Sequence, residues 1–252
     1  MARPAAARRP RRAARAVRPR RRARRPRRRR PPVPRGNALN IVFDNLGTYV
    51  EGMRTTVSLT LLSFAAAVVI GTVVAAFRVG PVPPLRWAGA TYVELVRNTP
   101  LAVHFILFYF GLTKVGIRYE AFVTAVIVLS MYTSSFVAET IRSGINAVST
   151  GQAEAARSLG LTFPQVLTIV VLPQAFRTVV APLGSLLSAL VRNSSVASVI
   201  SVLELTEVAD RLNTATARPI PVFLGAAAAY LTLTLPLGWG IGIVERRVAI
   251  KR

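Results

Sequence analysis

From Thr55 to Phe77 the chain carries no charged side chain, and no other feature constrains its fold as much. About 20 apolar residues in a helix cross the hydrocarbon core of a bilayer. Uncharged runs of the same kind follow at Ala121–Ala138 and from Pro219 to Val244, where Pro236 is expected to kink the helix; between them, Ala175 to about Leu203 is apolar enough to span but carries Arg192 in its middle. A further region, Leu85 to Leu112, is interrupted by Arg86, Glu94, Arg97 and Pro100. Its uncharged part is short for a crossing, so it reads as one helix kinked at Pro100. Ahead of the first crossing, residues 36–54 place apolar side chains at helical spacing but are too polar to span, which predicts a short interfacial helix. The fold class expected is all-α integral membrane, with five transmembrane helices.

Charge divides the chain unevenly. Residues 1–35 hold 17 arginines and no acid; without them the 33 basic residues fall to 16, against 10 acidic ones. This Arg/Pro/Ala segment lacks the apolar core of a signal peptide and has nothing with which to bury a core, so it reads as a disordered tail. It has no aromatic residue to stack on bases, which argues against nucleic-acid binding. It also reads as translation from a mis-assigned start, absent from the mature protein. The absence of cysteine removes disulfides and thiolate metal sites.

Between the third and fourth apolar runs lies GINAVSTGQAEAARSLGLTFPQVLTIVVLP, residues 144–173. Ser149 with Gln152 fits a capping box, and Gly160 suits a left-handed helix end. Thr162, Pro164 and Gln165 then open a second helix, which Pro173 is expected to close. Two short helices about a glycine make an elbow between two crossings.

Glu154-Ala155-Ala156, Gly160 and Leu172-Pro173 resemble the EAA loop of permease subunits of binding-protein-dependent ABC importers, with Val170 where isoleucine is usual. Val96-Arg97-Asn98-Thr99-Pro100-Leu101, the segment Phe136–Ile145 and Arg192-Asn193-Ser194-Ser195 resemble the polar amino-acid branch, closest to glutamate-uptake permeases of actinobacterial type. The likeness runs from about Asn45 to Lys251. It implies a type I importer permease bundle over residues 55–245, with a cytoplasmic EAA coupling helix and a basic cytoplasmic end at 246–252. It implies an ATPase subunit dimer, a second permease subunit (identical or a sister), an extracellular substrate-binding protein, an amino-acid substrate and surrounding lipid, with no nucleic acid. Gln152, Glu154, Ala155, Ala156, Gly160, Leu172 and Pro173 would meet the ATPase: the alanines leave a close-packing surface, Glu154 supplies a charge and Gly160 permits the turn. With the elbow in the cytoplasm, the arginine-richer loops fall inside, and five crossings put the N-terminus outside.

The chain has no Walker-type phosphate loop, so ATP and Mg are expected on the partner ATPase and no cofactor here. It has no nucleophile–base or metal constellation either, and reads as a transport subunit rather than an enzyme. Arg97 and Arg192 are the candidates to meet a substrate carboxylate, because guanidinium groups pair well with carboxylates. Asn98, Thr99, Ser134 and Asn193 are candidate polar liners, and Glu139 a candidate for the α-ammonium. Against these stand plain structural roles: a Glu94–Arg97 pair, a Glu139–Arg142 pair, and hydroxyls of Thr133, Ser134 and Ser135 bonding back to their own helix. His104 reads as a packed residue. A secondary carrier or channel, and a membrane-anchored nucleic-acid binder, are the rival functions; neither needs the elbow. Mass spectrometry of the protein purified from its own membrane is expected to yield no peptide from residues 1–35.

Overall fold

The computed structural model describes residues 38–248, all helices and short connections. The arginine-rich residues 1–35 and the end at 249–252 lie outside the described residues. In chain order the helices are α1 (Ala38–Asp44), α2 (Leu46–Val79), α3 (Pro83–Asn98), α4 (Leu101–Lys114), α5 (Ala121–Asn146), α6 (Thr150–Ser158), α7 (Phe163–Ile200), α8 (Leu205–Thr216) and α9 (Pro219–Val248). Helices α2, α5, α7 and α9, of 34, 26, 38 and 30 residues, are long and apolar enough to cross a bilayer, and the bent pair α3–α4 brings the crossings to five.

Three boundaries differ from those expected. Residues Leu46 to Arg54 are not a separate helix but the first turns of α2. Glu51 and Arg54 face outward while Tyr49 and Gly52 are buried, so the charges that marked an end in the sequence sit on the free side of a continuous helix. At Pro100 the chain does not kink but breaks, α3 and α4 meeting at 102°. Thr99 is extended, at φ −100° and ψ 130°, as the ring of a following proline requires. Pro173, expected to end a helix, lies inside α7, immediately after a wide π-helical turn at Val166–Val171. A proline removes one amide and clashes with the carbonyl four residues back; the wider turn accommodates both.

The bundle is built around α5, which packs on α2, α3 and α7. The buried face of α2 steps through Ser63, Ala67, Gly71 and Ala75. Small residues at this spacing let two backbones approach closely, which matters where lipid is as apolar as the side chains. A Cβ at Gly71 would lie 2.7 Å from Val137 Cβ and 2.8 Å from the Ser134 carbonyl oxygen. Gly144 of α5 lies against Val179 of α7 in the same way. One apolar cluster joins α2, α4, α5 and the end of α7 around Leu59, Phe105, Leu129 and Leu190. A second joins the start of α2 to α8 and α9 around Tyr49, Leu205 and Val222, and the Tyr49 hydroxyl donates to the Val222 carbonyl at 2.8 Å. Exposed Leu61, Val69, Leu224, Leu235 and Trp239 clothe the outer surface, as befits helices whose outer solvent is lipid.

Gly71→Ala is expected to lower stability by about 1–3 kcal/mol, since the added methyl meets backbone and a branched side chain. Gly47→Ala, where nothing lies within 4 Å, is the control. Thermal unfolding in detergent compares them.

Candidate functional site

Two regions concentrate the polar chemistry. The first is the elbow. Its Ser149–Gln152 capping box does not form: Ser149 makes no side-chain cap, and the first turn of α6 closes through the Gln152 amide on the Ser149 carbonyl at 3.1 Å. The Gln152 amide group is engaged elsewhere, accepting from the Gln174 side chain and so tying α6 to α7. The helix end follows expectation. Gly160 has φ +85°, its amide reaches the Arg157 carbonyl at 2.9 Å, and the Leu161 amide reaches the Ala156 carbonyl at 3.3 Å. That pair of bonds is a Schellman motif, which needs a left-handed residue where glycine sits. Beyond it, the Thr162 amide and hydroxyl both donate to Gln165 Oε1, at 2.8 and 2.9 Å.

Of the elbow residues, Ala156 is buried, while Gln152, Glu154, Ala155, Gly160, Leu172 and Pro173 are exposed. Leu159 is 83% exposed and Phe163 65%. A carboxylate, a bare alanine surface and large apolar side chains thus share one projection between two spanning helices.

The second region is an open cavity of about 500 Å³ where α7, α8 and α9 meet, lined by Arg192, Ser195, Thr206, Tyr230, Leu231 and Thr234. Arg192 stands where α7 tightens into a 3₁₀ turn, Ser194–Ile200, so this guanidinium marks a change of helix type and faces open space. Behind the wall sits Glu204, fully buried at the N-terminus of α8. It accepts from the amides of Thr206 and Glu207, both at 2.9 Å, and from the Tyr230 hydroxyl at 2.6 Å. Burial raises the Glu204 pKa, opposed by the Thr206 amide, the Tyr230 hydroxyl and the Glu207 amide.

The other sequence candidates are scattered. Among the described residues Arg97 pairs with no acid; its guanidinium carbon lies 4.9 Å from the Phe136 ring centroid, a cation–π contact. The expected Glu94–Arg97 pair is therefore not formed; the guanidinium lies over the aromatic face of α5 instead. Asn98 ends α3 in an exposed position, and the Thr99 hydroxyl donates to the Leu95 carbonyl at 2.8 Å. Ser134 is fully buried, bonded to the Met131 carbonyl at 2.8 Å and to Tyr92 at 2.7 Å, which makes it a helix contact, not a liner. Glu139 bonds both Arg142 and Arg78, so its carboxylate ties α2 to α5 and is committed to two guanidinium groups. His104 packs edge-on to Tyr132 at 6.0 Å between centroids. Of these candidates only Arg192 lines the cavity; Asn193, next to it in sequence, is half-buried and does not line it. Glu204 and Tyr230 escaped the sequence reading, which took Glu204–Arg218 for a polar connector. The available signal was a carboxylate directly ahead of an amphipathic helix, at a capping position.

A bundle of membrane-crossing helices with a polar elbow between two of them fits a membrane-transport component, and the comparisons with known proteins make that assignment. Residues 67–250 match the family described as "Binding-protein-dependent transport system inner membrane component". The chain is 40% identical over 210 residues to the probable glutamine ABC transporter permease protein GlnM of Bacillus subtilis, covering 83% of this chain and 97% of that one. It is 41% identical over 214 residues to the glutamate transport system permease protein GluC of Corynebacterium glutamicum, covering 78% and 92%. A solved structure described as an amino acid ABC transporter with histidines superposes with a TM-score of 0.80 at 33% identity, over 83% of this chain and 98% of the other. The chain belongs to this family, among the permease subunits of amino-acid ABC importers: a multi-pass transport component, not itself an enzyme. The carrier and nucleic-acid readings find no support among these relatives.

Gly160→Ala is expected to cost about 1 kcal/mol locally, the penalty of a left-handed alanine. Hydrogen exchange at the amides of α6 would show it as faster opening, while Gly151→Ala in the helix slows it.

Proposed function

We propose that this chain imports a polar amino acid, most specifically glutamate, as half of a permease dimer served by an external binding protein and an ATPase pair. ATP and Mg reside on the ATPase. The elbow lies in the cytoplasm and docks on that ATPase, so that closure of the ATPase pair moves α6 and, through the Gln152–Gln174 bond, the base of α7. The C-terminus then lies inside, and five crossings place the N-terminus outside. The observation that carries this reading is the Schellman-capped elbow, which projects Glu154, Ala155 and Leu159 outward between two spanning helices.

In the same reading Arg192 takes the substrate carboxylate. It brings five donors in fixed geometry to a cavity within the size range of small-molecule sites, roughly 300–1,000 Å³. The 41% identity to a glutamate permease favours glutamate; the near-equal identity to a glutamine permease makes glutamine the alternative.

Uptake of labelled glutamate, glutamine, arginine and histidine in cells lacking the chain, complemented with wild type or Gly160→Asp, tests the proposal. Wild type is expected to restore glutamate uptake, and Gly160→Asp to leave the protein in the membrane with little transport. Equal restoration by both would exclude coupling at this turn.

A further inference from the structure

Glu204 is the only fully buried carboxylate among the described residues, and it lies outside both the elbow and the lining of the cavity. Capping α8 requires only the two amides of Thr206 and Glu207. The third bond is of another kind: it comes from Tyr230 on α9, across the helix interface, at 2.6 Å.

That bond decides the polarity of the cavity wall. A tyrosine hydroxyl has one proton, and here Glu204 receives it. The Thr206 hydroxyl lies 3.1 Å from the Tyr230 oxygen and also bonds the Glu204 carboxylate; with the tyrosine proton already committed, the Thr206 proton goes to one of these two oxygens. With both protons committed, the Tyr230 and Thr206 hydroxyls have only acceptor capacity left to offer the cavity. Both residues line the cavity that Arg192 enters. Arginine offers donors and no acceptor, which suits a carboxylate but leaves an α-ammonium unmet. No carboxylate lines the cavity among the described residues, so the ammonium must find neutral oxygen.

We propose that Glu204 is a positioning residue: by holding the Tyr230 proton it makes the Tyr230–Thr206 wall an acceptor for the α-ammonium of the transported amino acid. Arg192 takes the α-carboxylate or side-chain carboxylate of the same molecule. This rests on the reading of Arg192 given above. The cavity accordingly recognises an amino acid as a zwitterion, and Glu204 contributes without touching it.

The test compares ligands that differ only in the α-amino group. The full chain, in the assembly isolated from its membrane and placed in nanodiscs, is titrated with L-glutamate and glutarate, and with L-glutamine and glutaramate. Wild type is expected to prefer each amino acid to its deaminated counterpart by roughly tenfold or more, the cost of an unmet charged hydrogen bond. Tyr230→Phe should bring the two affinities together while the melting temperature holds. Glu204→Asp separates capping from positioning: aspartate is a good helix cap but too short to reach Tyr230. A folded Glu204→Asp protein that loses the preference supports the proposal; one that keeps it shows capping alone and overturns it, as does an unchanged preference in Tyr230→Phe. Arg192→Gln should weaken an amino acid and its counterpart alike. If Arg192→Gln changes neither affinity while Tyr230→Phe still abolishes the preference, the carboxylate assignment fails and the role of Glu204 stands. Absence of binding by wild type to all four ligands overturns both.

Discussion

In a bilayer an apolar side chain gains little by leaving lipid for another helix, so the bundle depends on how closely its helices can approach. The seam between α2 and α5 answers that need. Along it, Ser63, Ala67, Gly71 and Ala75 replace bulk with backbone proximity, and the nearest neighbours of Gly71 leave no room for a methyl group. With α5 held there, its other faces receive α3 and α7, and the positions of the elbow and the cavity follow from where α7 begins and ends.

Polar groups enter this frame only where each has a partner. Glu139 holds two arginines from different helices, Ser134 bonds to its own helix and to Tyr92, and Glu204 collects three donors. These are the arrangements that low dielectric demands, because an unmatched polar group in such surroundings costs several kcal/mol in order-of-magnitude terms. The same demand separates side chains bonded within the fold from those left open. Glu139 and Ser134 are bonded to neighbouring helices, whereas Arg192 faces the cavity without an acidic partner among the described residues.

Besides a π-helical turn at Leu107–Gly111 within α4, three irregularities of the helices lie beside Arg192, beside the elbow and at the break between α3 and α4. The 3₁₀ turn follows Arg192, a π-helical turn precedes Pro173 beside the elbow, and the sharpest bend falls at Thr99–Pro100. Each has a local cause: a run of serines whose hydroxyls bond back to the helix, a proline inside the helix, and a proline at its edge.

The crossings, the elbow and its left-handed glycine were readable in residue order, since each depends on neighbours: uncharged length for a span, backbone freedom at Gly160, local caps at Thr162 and Gln165. The readings that failed needed distant partners. Whether Arg97 meets Glu94 or Phe136 depends on how α3 lies against α5. Whether Gln152 caps its own helix or bonds Gln174 depends on the return of the chain after the turn. Glu204 looked like one acid in a connector because Tyr230, which gives it a purpose, is 26 residues away in sequence. Local order thus suffices for what short-range sterics and transfer energies control. Which polar side chains are spent on the fold and which stay available to a ligand was decided only by tertiary packing, because hydrogen-bond partners are chosen by proximity in space.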